Sequence, residues 1–220
     1  MKSENSVVYD AYPKVSIKEF IPELAFEFED ASEEIFSHFI LKAINRFARD
    51  SNALVRDQDI LAQCGACAYK LEALDCVDVV GILRVTRESD RICGEVDVPR
   101  INNRPGKHCC FTQRSVSWFE APDIIHFNPC SPPDVFHVLF SVAPKYDACE
   151  VDRILLDVYL ETILDGSRYF LYNMQSKPWS QVQRAQECYF KFLDGIKRAS
   201  VESHTGGQRG VFKRKTERIF

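Results

Sequence analysis

Cys64-Gly65-Ala66-Cys67 is the sharpest local motif in the 220-residue sequence. A Cys-x-x-Cys pair can act as a redox dithiol or supply half of a tetrahedral zinc site. A structural zinc needs two further ligands, and the only paired candidates are Cys109-Cys110, with His108 beside them. Adjacent cysteines chelate one ion poorly. A thioredoxin-like dithiol would follow a strand and precede a helix, whereas here a polar segment precedes the motif and an expected strand follows it. Turn or small-hydrophobe cysteines are the preferred reading. His126 and His137 each fall in an expected strand, where they could face one another across a hairpin and bind a metal or act as a base. Each stands alone on the polar face of an alternating pattern, without Glu-x-x-His, His-Glu-x-x-His or Asp-x-Asp, so a structural or exposed role is preferred. Glu161 and Asp165 are four apart on an expected helix but lie opposite its apolar stripe, as a solvated face would. No Gly-x-Ser-x-Gly, Gly-x-x-x-x-Gly-Lys or Gly-x-Gly-x-x-Gly is present, which removes the common hydrolase and phosphate-cradling classes. The expectation is a non-enzymatic protein with no cofactor and no metal. A metal- or thiol-dependent enzyme using Cys64 and Cys67 with His126 or His137 is the minor alternative.

The C-terminal residues 206–220 are more informative. Arg209, Lys213, Arg214, Lys215 and Arg218 face only Glu217, while Phe212, Ile219 and Phe220 are apolar anchors that would gain on burial. With Gly206, Gly207 and Gly210 among them, this is the composition of a basic arm that orders on a partner. Nucleic acid could be at most a short contact. At the other end the sign reverses, with seven acidic residues against one lysine between Lys18 and Glu34. Opposite ends of that polarity could meet in a ring or stack of copies.

The net charge of −4 argues against wholesale coating of nucleic acid. Nine cysteines are an odd number, and Met1-Lys2-Ser3-Glu4-Asn5 lacks the apolar stretch of a signal peptide, so a reducing cytosol is the expected place of folding. No apolar run approaches the roughly 18–20 residues that span a bilayer, and no membrane role is expected.

The elements that must position these residues follow from periodicity. Apolar residues at 35, 36, 39, 40, 43, 44 and 47 predict a helix of about five turns, with Ser32 as N-cap and Glu33 and Glu34 in its first turn. Upstream, Pro22 limits Ile17 to Phe28 to a short helix or an irregular packed stretch. From Ile60 to Pro144 the pattern alternates, and short antiparallel strands are expected at 69–74, 79–85, 115–119, 124–127 and 136–142, separated by Asn-, Pro- and Gly-rich turns. Ile154 to Met174 reads as one long amphipathic helix with Gly166 inside it, where a glycine costs about 1 kcal/mol unless another helix approaches closely. A last helix should start at Ser180, with Gln183 in the capping-box position, and run to about Ala199. The expected fold class is α+β: a small bundle of α-helices, one long N-terminal and two long C-terminal, with an inserted antiparallel β-sheet region. The divisions are 1–59 for the N-terminal segment and first long helix, 60–150 for the β region, 151–205 for the helical pair and 206–220 for the arm.

Three stretches then bring a known family into view. Leu164-Asp165-Gly166-Ser167-Arg168-Tyr169, Met174-Gln175-Ser176-Lys177-Pro178-Trp179-Ser180 and the aromatic-rich Tyr189 to Ala199 occur in that order. With the opening Ile17 to Leu24 and the helix Phe39 to Ser51, the chain resembles the head-to-tail adaptor (connector, or head-completion) proteins of tailed bacteriophages. The likeness covers both ends well and the sheet region only by pattern. The cysteine count and the long 86–110 segment depart from typical members. Within the resemblance, Pro178 fixes the chain after the first helix of the pair, Trp179 covers the helix junction and Ser180 caps the second helix, while Gly166 and Gly195 allow close approach. The resemblance implies a virion structural protein that forms a homo-oligomeric ring, typically a dodecamer, under the portal and extends the DNA channel towards the tail. Its implied partners are other copies of itself, the portal protein, and tail or nozzle proteins, with DNA only a passing ligand in the channel. The arm residues Arg209, Phe212, Lys213, Arg214, Lys215, Arg218, Ile219 and Phe220 would dock on the portal. A neck or tail-completion subunit one layer lower is the alternative within the same class.

Overall fold

The computed structural model describes residues 13–63, 68–72, 76–88, 97–98, 100, 118–121, 123–127 and 134–204. Strand β1 (Lys14–Ser16), a 3-10 turn (Ile17–Phe20) and helix α1 (Pro22–Ala25) form the entry segment. Pro22 opens α1, the position where its missing N–H costs nothing, and Ile17, Phe20, Leu24 and Phe28 are buried. Helix α2 (Glu33–Ser51) starts after Ser32, which has extended backbone angles, and stops at Asn52 with φ 53°. Asparagine tolerates that left-handed cap better than most residues. The α2 stripe of Phe36, Ile40, Ala43, Ile44, Phe47 and Ala48 is buried, as its periodicity requires.

Among the described residues the strands form three antiparallel sheets. Strands β2 (Val55–Ala62), β4 (Val77–Arg87) and β7 (Asp134–Pro144) form one, in the order β2-β7-β4. Strands β3 (Ala68–Lys70), β5 (Trp118–Ala121) and β6 (Ile124–Phe127) form a second, in the order β3-β6-β5. Strand β1 pairs with β8 (Glu150–Asp152) as a separate ribbon. The central strand β7 buries Phe136, Val138, Phe140 and Val142 completely, the period-2 pattern of a packed face. Strand β4 carries two register shifts, at Val80 and Leu83, that bend it against β7. Strand β2 begins ahead of the expected sheet boundary at residue 60 and was not foreseen as a strand.

The chain returns to helix through α3 (Ile154–Asp157), α4 (Leu160–Tyr172) and α5 (Val182–His204). Helices α2, α4 and α5 pack on one another, and α2 also packs on β7. The fold class is therefore α+β, with long helices at both ends and antiparallel sheets between them. The single helix expected from Ile154 to Met174 is broken: Val158 and Tyr159, at φ −116° and −112°, form a step between α3 and α4. The stripe survives it, because Leu155 and Ile163 are buried on either side and Tyr159 packs on Phe47 at 4.9 Å between ring centroids. A break that preserves periodicity leaves no trace in the pattern of apolar residues. Among the described residues, no helix is long and apolar enough to cross a membrane.

Candidate functional site

Two glycines set the distance between α4 and α5. A Cβ on Gly195 would lie 2.4 Å from both Cγ2 and Oγ1 of Thr162. One on Gly166 would lie 2.8 Å from the Phe192 ring and 3.0 Å from the Cβ of Ala43. At Gly166 helix α4 thus meets both α2 and α5, and the expected close approach is met at both positions. The connection between α4 and α5 is a β-turn in which the Ser180 N–H donates to the Lys177 carbonyl at 3.0 Å. Pro178 occupies its second position, where a fixed φ suits the turn. This places Pro178 six residues beyond the end of α4, further from that helix than expected. The Gln181 carbonyl accepts the first α5 hydrogen bond, from the Ala185 N–H at 2.9 Å, so the cap position belongs to Gln181 and Ser180 lies one residue upstream. Ser180 was expected to be that cap; the helix starts one residue later than that.

Trp179 covers the junction as expected. It is 8% exposed and meets Phe28 edge-on at 6.3 Å, while Phe28 also packs on Tyr172 at 4.8 Å. Around this cluster Arg168 Nε donates to Glu27 at 2.9 Å and the Tyr172 hydroxyl donates to the same carboxylate at 3.2 Å, tying α4 to the entry segment. On the neighbouring surface Phe39 stacks on Phe170 with Lys42 above the latter ring at 4.4 Å. Arg46 donates to the Tyr189 hydroxyl at 3.1 Å. The outward side of α5 is different, because Val182, Phe190 and Val201 remain 62%, 68% and 62% exposed. At 100° per residue they fall within about 100° of one another, so they lie along one side of the helix that the other described residues leave uncovered.

The residues with chemical potential are placed as follows. His126 is on β6 and His137 on β7, in different sheets, so they do not face each other across a hairpin. His137 instead lies between Asp59, its direct partner on β2, and Glu88 beyond the end of β4, with one ring nitrogen against each carboxylate. His137 thereby links β2, β7 and the end of β4 within one sheet, and among the described residues no group of three or more histidine, cysteine, aspartate or glutamate side chains could hold a metal ion. Glu161 is solvated as expected, but Asp165 is not: its side chain is 17% exposed and Arg168 lies 3.5 Å away. Burial pushes the Asp165 carboxyl above its ordinary value, with Arg168 and Lys191 opposing the shift. Cys64, Cys67, His108, Cys109, Cys110 and the arm residues Arg209, Phe212, Lys213, Arg214, Lys215, Arg218, Ile219 and Phe220 lie outside the described residues.

A feature that sequence patterning did not find lies where the β1-β8 ribbon meets the main sheet. A cleft of about 360 Å³ is lined by Leu54, Val77, Pro144 and Val151, with Cys76 and Cys149 also on its wall. Beneath it Asp152 accepts from Arg56 Nη2 at 2.8 Å and from Lys14 Nζ at 2.7 Å. The Arg56 and Asp152 side chains are 2% and 3% exposed, so this pair is a buried charge linkage between β2 and β8. Asp147 and Glu150, both exposed, stand at the same cleft without an ion-pair partner among the described residues. The only sequence signal was an arginine on the inward phase of an alternating strand. No protein-family model matches the chain, and no curated protein matches it in sequence.

Proposed function

We propose that this chain is a structural subunit of a phage virion, a head-to-tail adaptor that assembles with copies of itself into a ring between portal and tail and extends the DNA channel. The observation that carries this reading is the uncovered apolar edge of α5 formed by Val182, Phe190 and Val201. It projects from a helix whose other face is locked to α2 and α4 by Gly166, Gly195 and Phe192, so the edge is rigid and ready for a lateral neighbour. Two further features support it. The stretches that resemble the adaptor family, around Gly166, Trp179 and Phe192, are the ones that build this helical scaffold. The net charge of −4 suits a channel wall that must let DNA slide instead of holding its phosphates.

In this role the last helix and sheet edges make lateral contacts, and the basic arm from Arg209 to Phe220 docks on the portal. Phe190→Glu places a charge on the edge without touching the subunit core, since Phe190 is the most exposed of the three. The expected result is loss of the ring in native mass spectrometry, with the monomer melting as before. A ring that persists in this variant would remove the assigned interface. Deleting residues 209–220 is expected to leave the ring intact and abolish binding to purified portal. Portal binding that survives the deletion would remove the docking role of the arm.

A further inference from the structure

We propose that the cleft between the β1-β8 ribbon and β4 is a docking site for the chain's own C-terminal arm, residues 205–220, in the unassembled subunit. The inference concerns the isolated subunit and stands whether or not the chain forms a ring.

Place, size and charge converge on this occupant. Helix α5 ends at His204, and near that end the Ser203 hydroxyl donates to the Ser51 carbonyl at 3.1 Å. Ser51 is the last residue of α2, and Leu54, three residues further on, lines the cleft. The Ser203–Ser51 contact therefore lies within about 11 Å of chain from the cleft, the arm begins two residues after Ser203, and Phe212, eight residues past His204, has an extended reach of about 26–29 Å. At about 360 Å³ the cleft is at the small end of ligand pockets. Its apolar lining of Leu54, Val77, Pro144 and Val151 suits an aromatic anchor more than a polar metabolite. Arg56 and Lys14 outweigh Asp152 by one charge, and with Asp147 and Glu150, which have no ion-pair partner among the described residues, the cleft carries two cations against three carboxylates, one net negative charge. The arm supplies the complement, with Lys213-Arg214-Lys215 directly after Phe212. A Phe in the apolar floor followed by three cations at an acidic rim satisfies both halves of the site. The first twelve residues also lead towards the cleft through Lys14, but they carry Lys2 against Glu4 and Asp10, and so lack that complement.

The consequence is a subunit that parks its partner-seeking arm until something binds the arm more tightly. Cys76 and Cys149 provide the readout, because both are exposed thiols on the cleft wall, whereas Cys188 is buried and serves as a folding control. Maleimide labelling of the full chain, resolved cysteine by cysteine by mass spectrometry, should be compared with an F212S/K213E/R214E/K215E variant. Cys76 and Cys149 are expected to react about tenfold faster in the variant, the factor that corresponds to a cleft occupied nine-tenths of the time. Cys188 should stay slow in both. A separate K213E/R214E/K215E/D147K/E150K variant, which keeps Phe212, should label as slowly as the wild-type chain, because the charges across the contact are exchanged. Equal rates for the wild-type chain and the arm variant overturn the proposal. So does protection that disappears on tenfold dilution, which would assign the cleft to the arm of a second copy.

Discussion

Asp152→Ala is expected to lower the unfolding free energy by about 3–5 kcal/mol, a large part of the 5–15 kcal/mol typical of a folded domain. Its carboxylate is the partner of Arg56, and both side chains are essentially removed from water. Removing one member of such a pair leaves the other as a buried charge that has lost its carboxylate counter-ion. The companion change Lys14→Ala separates charge loss from burial. Lys14 donates to the same carboxylate, but its side chain is 32% exposed, so water can replace it and the expected cost is about 1 kcal/mol or less. Replacing both buried partners together, as R56M/D152L, should recover most of what Asp152→Ala loses, because an apolar pair of similar volume carries no desolvation cost. Denaturant titration of the four proteins measures all of this. A loss near 1 kcal/mol for Asp152→Ala would mean that Arg56 reaches solvent or another acceptor, and the linkage between β2 and β8 would then not be structural.

That linkage also marks where the sequence stops being legible. The helix α2 and strands β6 and β7 could be read from spacing, because their apolar positions repeat with the period of the element. Strand β2 could not. Its inward positions begin with Arg56 and Gln58, so the alternation presents polar residues where a core face should be apolar. The charge of Arg56 becomes tolerable inside through Asp152, 96 residues away, and Gln58 through the backbone N–H of Glu72. A partner so distant leaves no mark on the local pattern. Strands β1 and β8, of three residues each, are shorter than any pattern can register. The cleft was illegible for the same reason, since its wall is assembled from the starts of β1, β2 and β4 and from the turn between β7 and β8. The glycines were legible in the opposite sense. A helix-breaking residue inside a strong helical pattern has a cost, and that cost pointed to the neighbour that compensates it.

The neighbour is close enough for each glycine to be tested by a single methyl group. Gly166→Ala would put that methyl 2.8 Å from the Phe192 ring and 3.0 Å from Ala43 Cβ, on two different helices. Phe192 is fully buried and Ala43 is fixed to its backbone, so neither can move aside without shifting a helix. The intrinsic gain from replacing a mid-helix glycine, about 1 kcal/mol, is set against an overpacking cost of about 1–3 kcal/mol, and with two helices obstructing the methyl the cost should prevail. At Gly195 the obstacle is a single residue, which makes the cause separable. Gly195→Ala meets Thr162 at Cγ2, Oγ1 and, at 2.9 Å, Cβ, so the branched carbon itself is in the way and a rotamer change does not clear it. Gly195→Ala should therefore destabilise the fold, Thr162→Gly should destabilise it through lost helix propensity and packing, and the two together should be less costly than their sum. A double-mutant cycle by thermal or denaturant unfolding yields that coupling directly. If the two losses simply add, the helices do not meet at Thr162 and Gly195, and the close α4-α5 interface that holds the exposed edge of α5 in place would have to be given up.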